Sequence, residues 1–180
     1  MKRLVIALLL ITFAASSMAL AGEADYPYFN NIGMYLNPAA TGSCGAIGED
    51  VEFTVYVILT QMTNPEVWGW EAKFIFENIL MLSDTWYGTG INAGSKAGEY
   101  IIGLAEPLMV TNGNVIIAEM SFVVSSFLND VNQPSNVYIE GIFFSMLPNG
   151  QPAYLEAPGS NGVSLYQAYG GAGEAVLSMN

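Results

Sequence analysis

Apolar and polar residues alternate with a period of two along much of this chain, and Gly, Asn, Pro and Asp clusters interrupt the alternation. Successive strand side chains point to opposite faces, so this pattern predicts half-buried strands. From Val51 to Thr60, the residues Val51, Phe53, Val55, Val57 and Leu59 share one face, and Glu52, Thr54, Tyr56, Ile58 and Thr60 the other. From Val67 to Glu77, Trp68, Trp70, Ala72, Phe74 and Phe76 are expected inside, with Gly69, Glu71, Lys73, Ile75 and Glu77 outside. Asn114 to Val124 places Ile116, Ala118, Met120, Phe122 and Val124 inward, and Val137 to Leu147 places Val137, Ile139 and Phe143 inward. Further extended stretches are Ile32–Leu36, Ile79–Tyr87, Glu99–Ala105, Ala153–Ala157 and Gly162–Gln167. Turns are expected at Asn37-Pro38, Asn64-Pro65, Thr111–Asn114 and Pro148-Asn149-Gly150, and longer loops at Gly88–Gly98 and Asn129–Asn136. The sum is an all-β fold of about eight or nine strands, a two-sheet antiparallel β-sandwich with Greek-key, jelly-roll or Ig-like wiring.

The ends read differently. Lys2 and Arg3 precede an apolar run, Leu4 to Phe13, and Ala19-Leu20-Ala21 supplies the small residues of a cleavage box. Residues 1–21 are thus expected to be a signal peptide, 22–31 a loose leader, 32–167 the sandwich and 168–180 a flexible tail. The apolar run is shorter than the roughly 20 residues of a bilayer span. Residue 22 is Gly, not a lipid-bearing cysteine, so the expectation is a protein released outside the cell or into the periplasm, without membrane insertion after cleavage. Cleavage removes two cations and no acid, taking the net charge from −12 to −14. Such a surface repels phosphate backbones, which excludes nucleic acid as a partner. With 52% hydrophobic residues the chain is nevertheless not of disordered composition.

Four stretches together carry a family resemblance. Gly48-Glu49-Asp50-Val51 opens a strand, and Val67-Trp68-Gly69-Trp70-Glu71-Ala72-Lys73-Phe74 forms the next. Tyr100-Ile101-Ile102-Gly103-Leu104-Ala105 and Val115-Ile116-Ile117-Ala118-Glu119-Met120-Ser121-Phe122 supply two later ones. Over residues 32–147 this order resembles cohesin-type sandwiches at the level of pattern. It departs from them where Phe76-Glu77 stand in place of a Tyr-Asp pair, and no dockerin-like Ca²⁺ repeat accompanies it. The cohesin-like fold is shared with carbohydrate-binding modules and bacterial surface-layer proteins. The resemblance therefore implies a non-catalytic extracellular binding or scaffolding module, for a polysaccharide or a cell-surface protein.

The candidate chemistry is sparse. There is no histidine, so a Ser-His-Asp triad, a Cys-His pair and His-built zinc sites are excluded. A small jelly-roll glycosidase needs two carboxylates about 5 Å apart. Glu71 and Glu119 are the candidates, and solvated outward charges are the plainer reading of both. Asn129, Asp130 and Asn132, with Asn136, offer hard oxygens for Ca²⁺, though the spacing is not that of an EF-hand and a polar turn explains it equally well. No cofactor is otherwise expected. Trp86 and Tyr87, just ahead of a Gly-rich stretch, are the candidate ligand-binding platform, with a core role open for Trp86. Cys44, the single cysteine, reads as a small buried thiol or as an intermolecular attachment point. An alternative to ligand binding is a self-assembling surface-layer subunit, in which Tyr26-Pro27-Tyr28-Phe29 adds to a neighbour's sheet edge.

Overall fold

The expected turn at Thr111–Asn114 shows how this chain reverses. Asn112 and Gly113 both adopt positive φ, 51° and 77°, and Thr111 and Asn114 exchange backbone bonds of 2.9 and 3.0 Å across them. That is the mirror-image turn whose twist matches flanking strands, and Asn-Gly is the pair that tolerates it. The computed structural model describes residues 28–124, 133–142, 150–169 and 175–179. Among these it contains no helix. The strands are β1 (Asn31–Tyr35), β2 (Cys44–Gly45), β3 (Glu52–Thr60), β4 (Glu66–Glu77), β5 (Leu80–Trp86), β6 (Gly90–Asn92), β7 (Glu99–Met109), β8 (Val115–Val123), β9 (Ser135–Glu140), β10 (Ala153–Leu155), β11 (Val163–Ser164), β12 (Tyr166–Gln167) and β13 (Leu177–Met179).

Two sheets pack face to face. The first has the order β12-β1-β3-β8-β5, and the second β11-β10-β4-β9-β13-β2, with β7 also on β4 and β6 on β7. Pairing is antiparallel except at two margins, where β1–β12 and β2–β13 run parallel. The chain changes sheet between β11 and β12 through the buried Leu165. Between the sheets lies one core, built from Val55, Val57, Leu59, Met120 and Phe122 on one side and Trp70, Phe74, Ile102, Val137 and Ile139 on the other. Trp70 stacks on Tyr100 at 5.7 Å, Phe74 meets the same ring edge-on at 5.5 Å, and Phe76 reaches across to Phe122 at 5.5 Å. Rings at such distances and angles add specificity to simple burial.

Most of the expected strands form, but two bulges change which residues face inward. Between β3 and β8 the register shifts after Val57, which pairs with Ala118 while Ile58 pairs with Ile116. The extra residue, Ile117, is buried in the core, and Val115 replaces Ile116 inside. Between β4 and β7 the register jumps from Val67–Leu108 to Gly69–Gly103. Val67 thereby enters the core, and Trp68, expected inside, is only half-buried, its Nε1 donating to the Glu66 carboxylate at 2.9 Å. An inserted residue reverses side-chain parity on one side of a bulge, which simple alternation cannot register.

Other expectations are corrected at the margins. Val51 precedes the β3 ladder and is exposed rather than inward. The Gly88–Gly98 loop contains β6, which pairs with β7. The leader gives way to β1 at Asn31. The supposed flexible tail supplies β13, whose Leu177 and Met179 are buried and which joins β9 to β2. Its apolar residues close the core, so burial holds the segment in place. Cys44 lies on marginal strand β2 and is exposed, not buried. Phe143 falls outside the described residues.

Candidate functional site

Strand parity and register decide which side chains can meet a ligand. On β8, Val123, Ser121 and Glu119 alternate with the buried Phe122, Met120 and Ala118, so they face away from the core. Their partners on β3 are Glu52, Thr54 and Tyr56, and on β5 Leu80, Ser83 and Thr85. These residues form the outer face of the first sheet. Its middle is a row of small hydroxyl side chains, Thr54, Ser121 and Ser83. One end carries Leu80, 47% exposed, beside Val123 and Glu52. Toward the other end Tyr87, 39% exposed, donates its hydroxyl hydrogen to the Glu119 carboxylate. That bond favours the neutral phenol, so the Tyr87 hydroxyl titrates above its ordinary value.

The same face is closed beyond Glu119. Tyr35, Ile58 and Ala168 form a second apolar cluster there, with Tyr56, Ile116, Ala40 and Tyr169 packed against them. Tyr35 and Tyr169 meet edge to face at 5.7 Å. Burial of Tyr35 pushes its hydroxyl up to about 12. One half of the sheet is thus roofed by its own chain, and the half lined by β5, β8 and β3 is open among the described residues.

The structure separates the paired candidates. Trp86 lies opposite Ala118 and packs half-buried against the core, while Tyr87 turns outward to Glu119. They do not form a shared platform. Trp86→Ala is therefore expected to lower stability by about 2–4 kcal/mol, toward the range for a buried aromatic. Tyr87→Ala should change it by no more than about 0.5 kcal/mol, as surface substitutions do. Urea unfolding of the two variants distinguishes these positions, and equal losses would contradict the assigned faces.

Glu71 and Glu119 are also apart. Glu119 stands on the outer face of the first sheet and Glu71 on that of the second, where it is only 2% exposed between Ile101 of β7 and Ala153 of β10. Its expected solvated position is corrected, because Ala153 beside it is fully buried and this part of the outer face is covered. Packed sheets lie about 10 Å apart, so two carboxylates pointing away from opposite sheets exceed the reach of a glycosidase pair. The calcium candidates Asn129, Asp130 and Asn132 lie outside the described residues, and Asn136 reaches the Tyr138 hydroxyl at 3.4 Å. No group of three or more His, Cys, Asp or Glu able to hold a metal occurs among the described residues.

Sequence reasoning missed the open face itself. Thr54 and Ser121 were legible as outward positions, but that they adjoin Ser83 follows from β8 pairing with both β3 and β5.

No protein-family model and no curated protein matches the sequence. Solved structures do resemble the fold. The sixth cohesin of scaffoldin B from Acetivibrio cellulolyticus, crystallised in complex with a mutant Cel5 dockerin, superposes with a TM-score of 0.53 at 12% identity, over 85% of this chain and 99% of that one. The seventh ScaB type I cohesin from Pseudobacteroides cellulosolvens gives 0.51 at 12% identity, over 84% and 91%. The resemblance to a cohesin-like β-sandwich read from the strand pattern is thus present in three dimensions.

Proposed function

We infer that this domain is a non-catalytic extracellular module that binds a protein through the outer face of its first sheet. The observation that carries the reading is the open half of that face. A row of short hydroxyl side chains, Thr54, Ser121 and Ser83, gives a nearly flat platform, bordered by Leu80 at one end and the Tyr87–Glu119 pair at the other. A flat patch free of charge at its centre, with an aromatic at its border, shares the charge depletion of protein interfaces. A sugar chain, by contrast, takes a groove or an exposed aromatic platform, and Trp86 turns inward here. One structural neighbour is a cohesin crystallised with a dockerin, which supports a protein partner for a domain of this shape.

Lack of histidine and separation of Glu71 from Glu119 support the non-catalytic part. The signal-like start, Lys2 to Ala21, supports the extracellular part.

The test is affinity capture from proteins secreted by the source organism, followed by titration of the purified captured protein. Thr54→Arg places a long charged side chain in the centre of the platform. It is expected to weaken the complex by about tenfold or more while leaving the unfolding midpoint unchanged. Undiminished binding by Thr54→Arg, or retention of polysaccharide in place of any protein, would overturn the reading.

A further inference from the structure

Sheets end in strands with unpaired backbone groups, and natural sheets protect those ends with short strands, charges, proline or bulges. The first sheet ends on one side in β12, and the second in β11, in β2 and in β6 beyond β7, each two or three residues long. The other margin of the first sheet is longer and is interrupted by a bulge instead. β5 is seven residues long and, among the described residues, pairs with β8 alone. Its sequence, Leu80-Met81-Leu82-Ser83-Asp84-Thr85-Trp86, contains no lysine, arginine or proline. Its one charge, Asp84, is engaged with the Tyr100 hydroxyl, which that carboxylate helps burial to push up. The register irregularity between Met81 and Ser83 lifts Leu82 out of the ladder and leaves it 49% exposed, next to the exposed Leu80.

We propose that the β5 margin accepts an added strand from an extended, basic peptide segment of another protein. Backbone pairing along Leu80–Trp86 supplies the affinity, and contact with Leu80 and Leu82 selects apolar residues at alternate positions. Charge selects the partner. The strands of the first sheet carry Glu52, Asp84 and Glu119 and no cation. A second copy of this chain, with net charge −12 that becomes −14 on the expected cleavage, is repelled from that sheet. This chain's own leader is a poor donor for the same reason, since Glu23 and Asp25 precede Tyr26. Lysines flanking the apolar positions of a foreign strand meet the opposite field. This margin shares Leu80 and Ser83 with the platform, but Thr54 stands on β3, with β8 between it and β5, so substitution of Thr54 separates the two readings.

The probe is a synthetic seven-residue peptide of alternating lysine and valine, blocked at both ends and titrated by fluorescence anisotropy into the full-length secreted domain. Two controls are the same peptide N-methylated at alternate residues in either register, which removes strand hydrogen bonds, and a version with glutamate in place of lysine. The expected result is saturable binding of the lysine peptide, weakened at least tenfold in the glutamate version and in one N-methylated register. Leu82→Lys should reduce it at least tenfold with an unchanged thermal midpoint, because the side chain is already exposed. Thr54→Arg, on the platform, should leave it within twofold. No binding of the lysine peptide would overturn the proposal, as would indifference to N-methylation or to Leu82→Lys. Concentration-dependent dimerisation abolished by Leu82→Lys would overturn it in favour of self-pairing.

Discussion

Ending the chain at Glu174 is expected to leave the domain largely unfolded at 25 °C. The deletion removes β13, whose Leu177 and Met179 are buried in the core together with the preceding Val176. Fully burying one such side chain contributes about 1.5–3 kcal/mol, so the three together contribute roughly 5–9 kcal/mol. A domain of this kind has a total stability of about 5–15 kcal/mol. The deletion also parts β9 from β2, since Leu177 pairs with Val137 and Ser178 with both Asn136 and Cys44. Far-ultraviolet circular dichroism and a urea titration measure the effect. A truncated chain whose midpoint matches that of the full chain would show that β13 is not part of the folded core.

Phe74→Ala is the second large effect, a loss of about 3–5 kcal/mol, the range for removing a buried aromatic ring. Phe74 is 2% exposed and packs edge-on against Tyr100, which also stacks on Trp70. Its removal leaves a void beside the Tyr100 ring, which the pairing of β4 with β7 holds in place. Its neighbour Lys73 is the control. Lys73 lies 3.8 Å from Glu140, and the two side chains are 37% and 51% exposed. Such surface pairs contribute about 0–1 kcal/mol, so Lys73→Ala should cost no more than that. Urea denaturation of both variants tests the facing of β4 below its bulge. A greater loss for Lys73→Ala would mean that the assigned faces are exchanged.

The residues that show how far alternation carries are those on either side of the two bulges. Val55, Val57, Leu59, Phe74, Val137 and Ile139 are inward as their spacing requires. Ile116 and Trp68 are not, because the ladder beside each is interrupted, by the extra Ile117 on β8 and by residues 104–107 of β7 set against Trp68 alone. A bulge is a property of two strands together, so no pattern on one strand announces it. The candidate site divides in the same way. Tyr87 was legible as an outward aromatic near a loop, whereas the opposed facing of Trp86 depends on its partner Ala118. Glu71 had the outward parity expected of it, yet it is buried because β7 and β10 flank β4 at that point.

By itself the sequence determined the all-β class, the positions of most strands, the Asn-Gly turn, the acidic surface and the absence of histidine chemistry. Each depends on local alternation, turn stereochemistry or composition, which act over a few residues or over the whole chain without regard to its path. Only the tertiary structure decided that the last residues complete a sheet, that Glu71 and Glu119 stand on opposite sides, and that β5 ends the first sheet with no strand beyond it among the described residues. Those outcomes depend on which strands become neighbours, and strand pairing joins residues far apart in sequence, such as Cys44 with Ser178.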